Sequence, residues 1–160
     1  MHYFDCTFKN NYAPYSGGIH IHPNSKTDIH NCTFIGNRAT GTGSTKTGYG
    51  GAVSIEQKDI LIENSRFINN TATLFGGGIQ IGTPDYTVSG SDVINCTVEG
   101  NNAPKGAGIY IRGDDTTIEN CTIYDNTATG TGGAGIYIEL NKADVKGCLL
   151  HFLVLKKSFG

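Results

Sequence analysis

A cysteine returns along the whole chain inside the same short phrase. It stands at Cys6, Cys32, Cys96, Cys121 and Cys148, with Ser65 filling the one gap, at steps of 26, 33, 31, 25 and 27 residues. Other positions keep step with it. Two residues later comes Phe8, Phe34, Phe67, Val98, Ile123 or Leu150; five later comes Asn11, Asn37, Asn70, Asn101 or Asn126; seven later stands Ala13, Ala39, Ala72, Ala103 or Ala128. A Gly or Ala pair then opens the blocks GGIHI, GAVSI, GGIQI, AGIYI and AGIYI. Only the connections between blocks change length, which is how surface loops behave.

A unit this short cannot bury an apolar face alone, so neighbouring units must stack into one continuous core. The 23 glycines, with abundant Asn and Thr, disfavour helix. Period-two alternation at Ile109, Tyr110, Ile111 and at Ile136, Tyr137, Ile138 favours strands. The chain therefore reads as an all-β solenoid in which each unit adds a rung about 4.8 Å above the last.

The cysteine segment shows where a rung bends. Three residues before the cysteine position are Ile29, Ile62, Val93, Ile118 and Val145, and the cysteine itself is small and apolar. Strict alternation sends positions three apart to opposite faces, so the strand must turn between them. Asn31, Asn64, Asn95 and Asn120 fill the intervening position, and Asn tolerates left-handed backbone better than other non-glycine residues. Two short strands meeting at an Asn corner, with a third from the Gly block, give the cross-section of a right-handed parallel β-helix.

Five rungs and an incomplete sixth predict a rod about 25 Å long at the strand spacing. Inward Phe and Ile should stack on like residues, the cysteine column should line the inside, and the Asn column should form an amide ladder. One β-helix domain is expected over residues 1–148, with an irregular apolar tail or cap over 149–160. Residue 1 falls just before a cysteine block, so flanking rungs of a longer rod are expected beside it.

Bulk properties narrow the partners. A formal charge of −2 with scattered Lys and Arg offers no basic patch for nucleic acid. The longest apolar run, LLHFLVL at 149–155, is far short of the roughly 20 residues a membrane-crossing helix needs, so no insertion by this segment is expected. The first residues lack the charged and apolar regions of a signal peptide.

The tetrapeptides FKNN, FIGN and FINN alternate with GGIH, GGAV and GGGI over roughly residues 4–140. This FxxN and GGxI alternation resembles the repeats of the chlamydial polymorphic outer membrane proteins, and is similar to that of adhesin-like surface proteins of methanogenic archaea. The resemblance implies a surface-exposed β-helical passenger used in adhesion, at the cell surface, outer membrane-associated or extracellular. Val98 and Ile123 depart from the Phe of that pattern.

Candidate chemistry falls on the outward stripe of the Gly-block strands: His20 and His22, Ser54 and Glu56, Gln80, Tyr110 and Arg112, Tyr137 and Glu139. Tyr110 and Tyr137 on successive rungs would offer flat amphipathic surface to a glycan or a cell-surface protein, with Arg112, Glu139, Gln80 and Glu56 beside them. Tyr is also an ordinary strand residue that pairs across a sheet. A polysaccharide lyase or glycoside hydrolase would need grouped carboxylates, and Glu56, Glu139, Asp114 and Asp115 are sparse. His20 and His22 would attract a transition metal, but a third ligand is missing from the pattern. No cofactor is expected.

The cysteines read as free, buried small hydrophobes, because side chains in a parallel stack point the same way and no CxxC cluster occurs. NCT at Asn31, Asn95 and Asn120, and NNT at Asn69, match the glycosylation acceptor pattern, but three of these fall at corners expected to be buried. The tripeptide Arg112-Gly113-Asp114 reads first as turn chemistry and second as an integrin-type motif. The chain thus reads as an adhesin-like or structural β-helix segment that displays its outer strand face and the connections 40–50 and 82–92; a pectin-lyase-like carbohydrate enzyme is the alternative.

Overall fold

Each strand pairs in parallel with its counterpart one coil later, so the chain winds as a β-solenoid. The computed structural model describes residues 1–42, 44, 47–85, 87–139, 142–151 and 156–157. Among these, four long sheets run the length of the stack, three of six strands and one of five, and a two-stranded patch pairs Val88–Ser89 with Gly113–Asp114.

The cysteine phrase supplies the first two sheets. Ile29, Ile62, Val93 and Ile118 stand in register inside the first, as Phe8, Phe34, Phe67, Val98 and Ile123 do inside the second. Phe8 stacks on Phe34 with ring centroids 4.7 Å apart, and Phe34 on Phe67 at 5.0 Å, the rings of each pair nearly parallel. Between the two sheets the chain turns at Asp5, Asn31, Asn64, Asn95 and Asn120, with φ of 55, 53, 52, 53 and 53°. Left-handed backbone at this column is the bend that the Asn positions predict. These asparagines are exposed rather than buried, because the left-handed turn points their side chains away from the core.

The cross-section has one more side than the sequence reading of three strands. Asn10, Gly36, Asn69, Gly100 and Asp125, four residues past the cysteine position, form a second left-handed corner with φ between 54 and 64°. After it come strands of only two residues, Tyr12–Ala13, Arg38–Ala39, Thr71–Ala72, Asn102–Ala103 and Thr127–Ala128, which make the five-stranded sheet. The alanines face inward because the Gly block passes close behind them. A Cβ on Gly51 would lie 2.1 Å from the Gly77 carbonyl oxygen and 2.7 Å from the Thr71 backbone nitrogen.

The Gly-block strands Ile19–Ile21, Val53–Ile55, Ile79–Ile81, Ile109–Ile111 and Ile136–Ile138 close the core with paired isoleucine and valine columns. Leu149–Leu150 pairs with Thr122–Tyr124, and Lys156–Lys157 with Ile136–Ile138, so the sixth coil runs past the expected boundary at 148. The rest of the expected tail, residues 152–155 and 158–160, lies outside the described residues.

At the second corner the Asn column forms a continuous hydrogen-bonded ladder. The Nδ2 of Asn11, Asn37, Asn70 and Asn101 each donates to the Oδ1 of the next asparagine up, at 2.8, 3.0, 3.0 and 3.0 Å. Each of these four backbone N–H groups donates to that same Oδ1. The second amide hydrogen reaches back one coil, from Asn37 to the Phe8 carbonyl and from Asn70 to that of Phe34. A buried amide has two donors and an acceptor oxygen with two lone pairs, and Asn37, Asn70 and Asn101 use all of them.

Candidate functional site

The outer face of the Gly-block sheet brings His20, Ser54, Gln80, Tyr110 and Tyr137 into one register column. It does not present them to solvent. Ser54, Gln80 and Tyr110 are 0% exposed, while Glu56 and Tyr137 are 6% exposed. The reading of Tyr110, Tyr137, Gln80 and Glu56 as a display surface is therefore corrected: this strand face is a second, smaller core.

Residues just before each Gly block cover it. Tyr49 stacks on Phe75 with ring centroids 5.6 Å apart, Phe75 on Tyr110 at 4.6 Å, and Tyr110 on Tyr137 at 5.8 Å. The Lys105 ammonium sits 5.6 Å from the ring centroids of both Phe75 and Tyr137, a cation–π geometry on either side. Tyr49, Phe75 and Lys105 are themselves bridged in parallel from coil to coil. Their signal was present in the sequence as a column immediately ahead of the Gly blocks, Tyr15, Tyr49, Phe75 and Lys105, and the sequence reading missed it.

Beneath this cover the polar groups are tied to one another. Ser54 Oγ donates to Gln80 Oε1 at 2.5 Å, and Gln80 Nε2 donates to the Gly82 carbonyl. Tyr110 Oη donates to Glu139 Oε2, which also receives Arg112 Nη1 at 2.7 Å. Burial, reinforced by the hydrogen bond to the Glu139 carboxylate, pushes the Tyr110 phenol well above its usual range, so it stays neutral. Arg112 and Glu139 are partly exposed and paired to each other.

The Arg112-Gly113-Asp114 tripeptide does not form an exposed turn. Gly113–Asp114 is a strand paired with Val88–Ser89, Gly113 is buried, and the Arg112 head group is held by Glu139. Glu56 and Glu139 follow strands three coils apart, which places them about 14 Å from each other at the strand spacing. Glycoside hydrolysis by paired carboxylates uses separations of about 5 to 10 Å.

The third ligand that the sequence pattern left missing beside His20 and His22 is on the neighbouring coil. Glu56 donates its backbone N–H to the Ile21 carbonyl at 2.9 Å, which sets its side chain beside the two imidazoles. Burial lowers the His20 imidazole below its usual value, against the opposing pull of the Glu56 carboxylate. Among the described residues, a second group of potential ligand atoms is His2, Asp28 and His30, where His2 is exposed.

All five cysteines are free thiols. Cys96 N–H donates to Cys121 Sγ and Cys121 N–H to Cys148 Sγ, both at 3.4 Å, while Cys32 N–H donates to Ser65 Oγ at 3.0 Å. Each sulfur, like the Ser65 hydroxyl, donates in turn to the carbonyl two residues before it. Burial pushes the Cys32 and Cys148 thiols up, away from the reactive thiolate.

Residues 78–152 match the family model described as a right handed beta helix region. The fold is a right-handed parallel β-helix. Residues 31–56 match the Chlamydia polymorphic membrane protein repeat. That stretch of the β-helix runs from the corner Asn31 through Cys32, Phe34, Asn37 and Ala39 to the strand Val53–Ile55 and Glu56, which is one full coil. The repeat match suggests a surface-type β-helix protein with outer membrane or surface association. No curated protein and no solved structure matches the chain. Among the described residues, no helix is long and apolar enough to cross a membrane.

Proposed function

We propose that this β-helix is an adhesin-like or structural segment of a surface protein, and that it binds glycans or proteins of a host or neighbouring cell through its exposed faces and connections. The carrying observation is the contrast between the two sides of the second sheet. Its inward column runs Phe8, Phe34, Phe67, Val98, Ile123, apolar throughout. Of its outward columns, Thr7, Thr33, Arg66, Thr97, Thr122 is polar throughout, and Lys9, Ile35, Ile68, Glu99, Tyr124 varies in charge and size along the stack.

An apolar core beneath an outer column that varies along the rod is suited to display, because the scaffold fixes position while side chains set specificity. The binding surface proposed is therefore this second-sheet face with the connections 40–50 and 82–92, in place of the covered Tyr110 stripe. Parts of both connections, residues 43, 45, 46 and 86, lie outside the described residues.

The test is a glycan array and a cell-surface protein panel probed with the full chain, alongside an assay for unsaturated uronide release. Binding without turnover, weakened by Arg66→Ala or Tyr124→Ala, is the expected result. Uronide release abolished by Glu139→Gln would replace this reading with a pectin-lyase-like enzyme. Absence of both binding and turnover would reduce the segment to a spacer.

A further inference from the structure

We infer that His20, His22 and Glu56 form a binding site for a borderline divalent transition metal such as zinc or cobalt, linking the first two coils across the outer face of the Gly-block sheet. The donor atoms of these three residues all lie within 4.8 Å of one another. They come from two coils: His20 and His22 flank Ile21 on one strand, and Glu56 follows the Val53–Ile55 strand of the next.

The geometry is that of ligands around an ion rather than of a hydrogen-bonded pair. His20 Nε2 stands 3.4 Å from Glu56 Oε2, and His20 Nε2 is buried with no hydrogen-bond partner. Tetrahedral bonds of about 2.0–2.2 Å from zinc to nitrogen and oxygen place neighbouring donors about 3.3–3.5 Å apart. An orphaned imidazole nitrogen at that separation from a carboxylate is what a shared cation would satisfy.

The surroundings fit the same chemistry. The Glu56 side chain is 3% exposed, so its charge is costly to bury without a cation. Its other oxygen, Oε1, accepts the Tyr15 hydroxyl, and the Tyr15 ring stacks on His20 with centroids 4.1 Å apart. A phenol that orients a ligating carboxylate and a ring that fixes a ligating imidazole are the outer contacts metal ligands ordinarily have. His22 is exposed, and its ring lies 4.1 Å from that of His20. Two imidazoles and one carboxylate select zinc, cobalt or iron over calcium or magnesium, which prefer oxygen alone.

The experiment uses the full chain with its thiols kept reduced by a phosphine. Zinc is titrated calorimetrically and cobalt by its visible absorption. The expected result is one equivalent per chain with a dissociation constant on the order of micromolar, and at least about tenfold weaker binding in His22→Ala and in Glu56→Gln. His22 is exposed, so its removal tests the site without disturbing the fold, and Tyr15→Phe should weaken binding while keeping every ligand. His2→Ala, in the other histidine group, should leave binding unchanged. No binding, binding indifferent to His22→Ala, loss of binding in His2→Ala, or a cobalt spectrum dominated by thiolate charge transfer would each overturn the assignment.

Discussion

Ser65 Oγ accepts the backbone N–H of Cys32 at 3.0 Å, in the place where Cys121 Sγ accepts that of Cys96 at 3.4 Å. A hydroxyl and a thiol are interchangeable there because each supplies one acceptor to the coil below and one donor to the carbonyl two residues back. The cysteine column is a hydrogen-bonding seam at the corner that also fills space inside it, and this explains why serine alone interrupts it.

Replacement of Cys121 therefore discriminates by polarity rather than size. Cys121→Ser should change stability by less than about 1.5 kcal/mol, whereas Cys121→Ala orphans the Cys96 N–H and should cost about 1–3 kcal/mol plus a small cavity term. Urea unfolding midpoints of the two variants against the parent protein would measure the difference.

Thiol reactivity should follow the same seam. Cys32, Cys96 and Cys121 are buried, while Cys6 and Cys148 are half-buried at opposite ends of the column. Five thiols should titrate in denaturant, but in the native protein Cys6 and Cys148 should react before the other three. Mass spectrometry after a timed alkylation checks the order.

Asn101 sits where the amide ladder has the most to lose. Its Oδ1 accepts both the backbone and side-chain N–H of Asn70, and its Nδ2 donates to Asn126 and to the Phe67 carbonyl. Asn101→Ala strands several buried polar groups, each costing about 1–3 kcal/mol, so a loss of at least about 3 kcal/mol is expected. Asn101→Asp keeps the acceptor but loses the donors and buries a charge, so it should be no better tolerated. Thermal unfolding followed by circular dichroism would show whether the chain still melts cooperatively.

The inward columns were legible from the sequence because in-register parallel stacking gives each position one environment on every coil. That is why the Phe8, Phe34, Phe67 column and the corner at Asn31, Asn64, Asn95 and Asn120 could be located from spacing. The state of the outer strand face was not legible by the same rule. Alternation says that Tyr110 points away from Ile109 and Ile111, but not that Phe75 of the preceding coil stacks on it. That cover depends on the chain folding back at Gly50, Gly76 and Gly106, each with positive φ, just after the covering residue. The link from His20 and His22 to Glu56 was hidden for a related reason. It crosses a connection of variable length, so only the pairing of His20 with Ser54 and Ile21 with Ile55 reveals it.

The cover itself should be a substantial part of the fold's stability. Phe75 lies between Tyr49 and Tyr110, so Phe75→Ala removes both stacking contacts and opens the Tyr110 ring to water. A loss of about 3 kcal/mol is expected from truncating a packed aromatic side chain. Phe75→Tyr keeps the stack and should stay within about 1.5 kcal/mol of the parent. Equilibrium unfolding of both variants separates loss of the ring from mere change at the site.

Alkaline pH should act on the fold through Tyr110. Its phenol is neutral and donates to Glu139, and its folded-state pKa is raised above the ordinary 10.0 by burial first and by that carboxylate second. The unfolded chain thus gives up this proton at a lower pH than the folded one. The stabilisation is complete below about pH 10 and is lost progressively as pH rises above that value toward the folded-state pKa. Tyr110→Phe removes this proton while leaving the Arg112 to Glu139 ion pair in place. The variant should be about 1 kcal/mol less stable than the parent at about pH 8. Its disadvantage should shrink by about pH 11, where ionisation of the parent's unfolded state erodes the parent's gain. Urea unfolding of both proteins at the two pH values tests the sign directly. An unchanged gap would mean that the Tyr110 proton is not linked to folding, and that the contact with Glu139 persists without holding the phenol neutral.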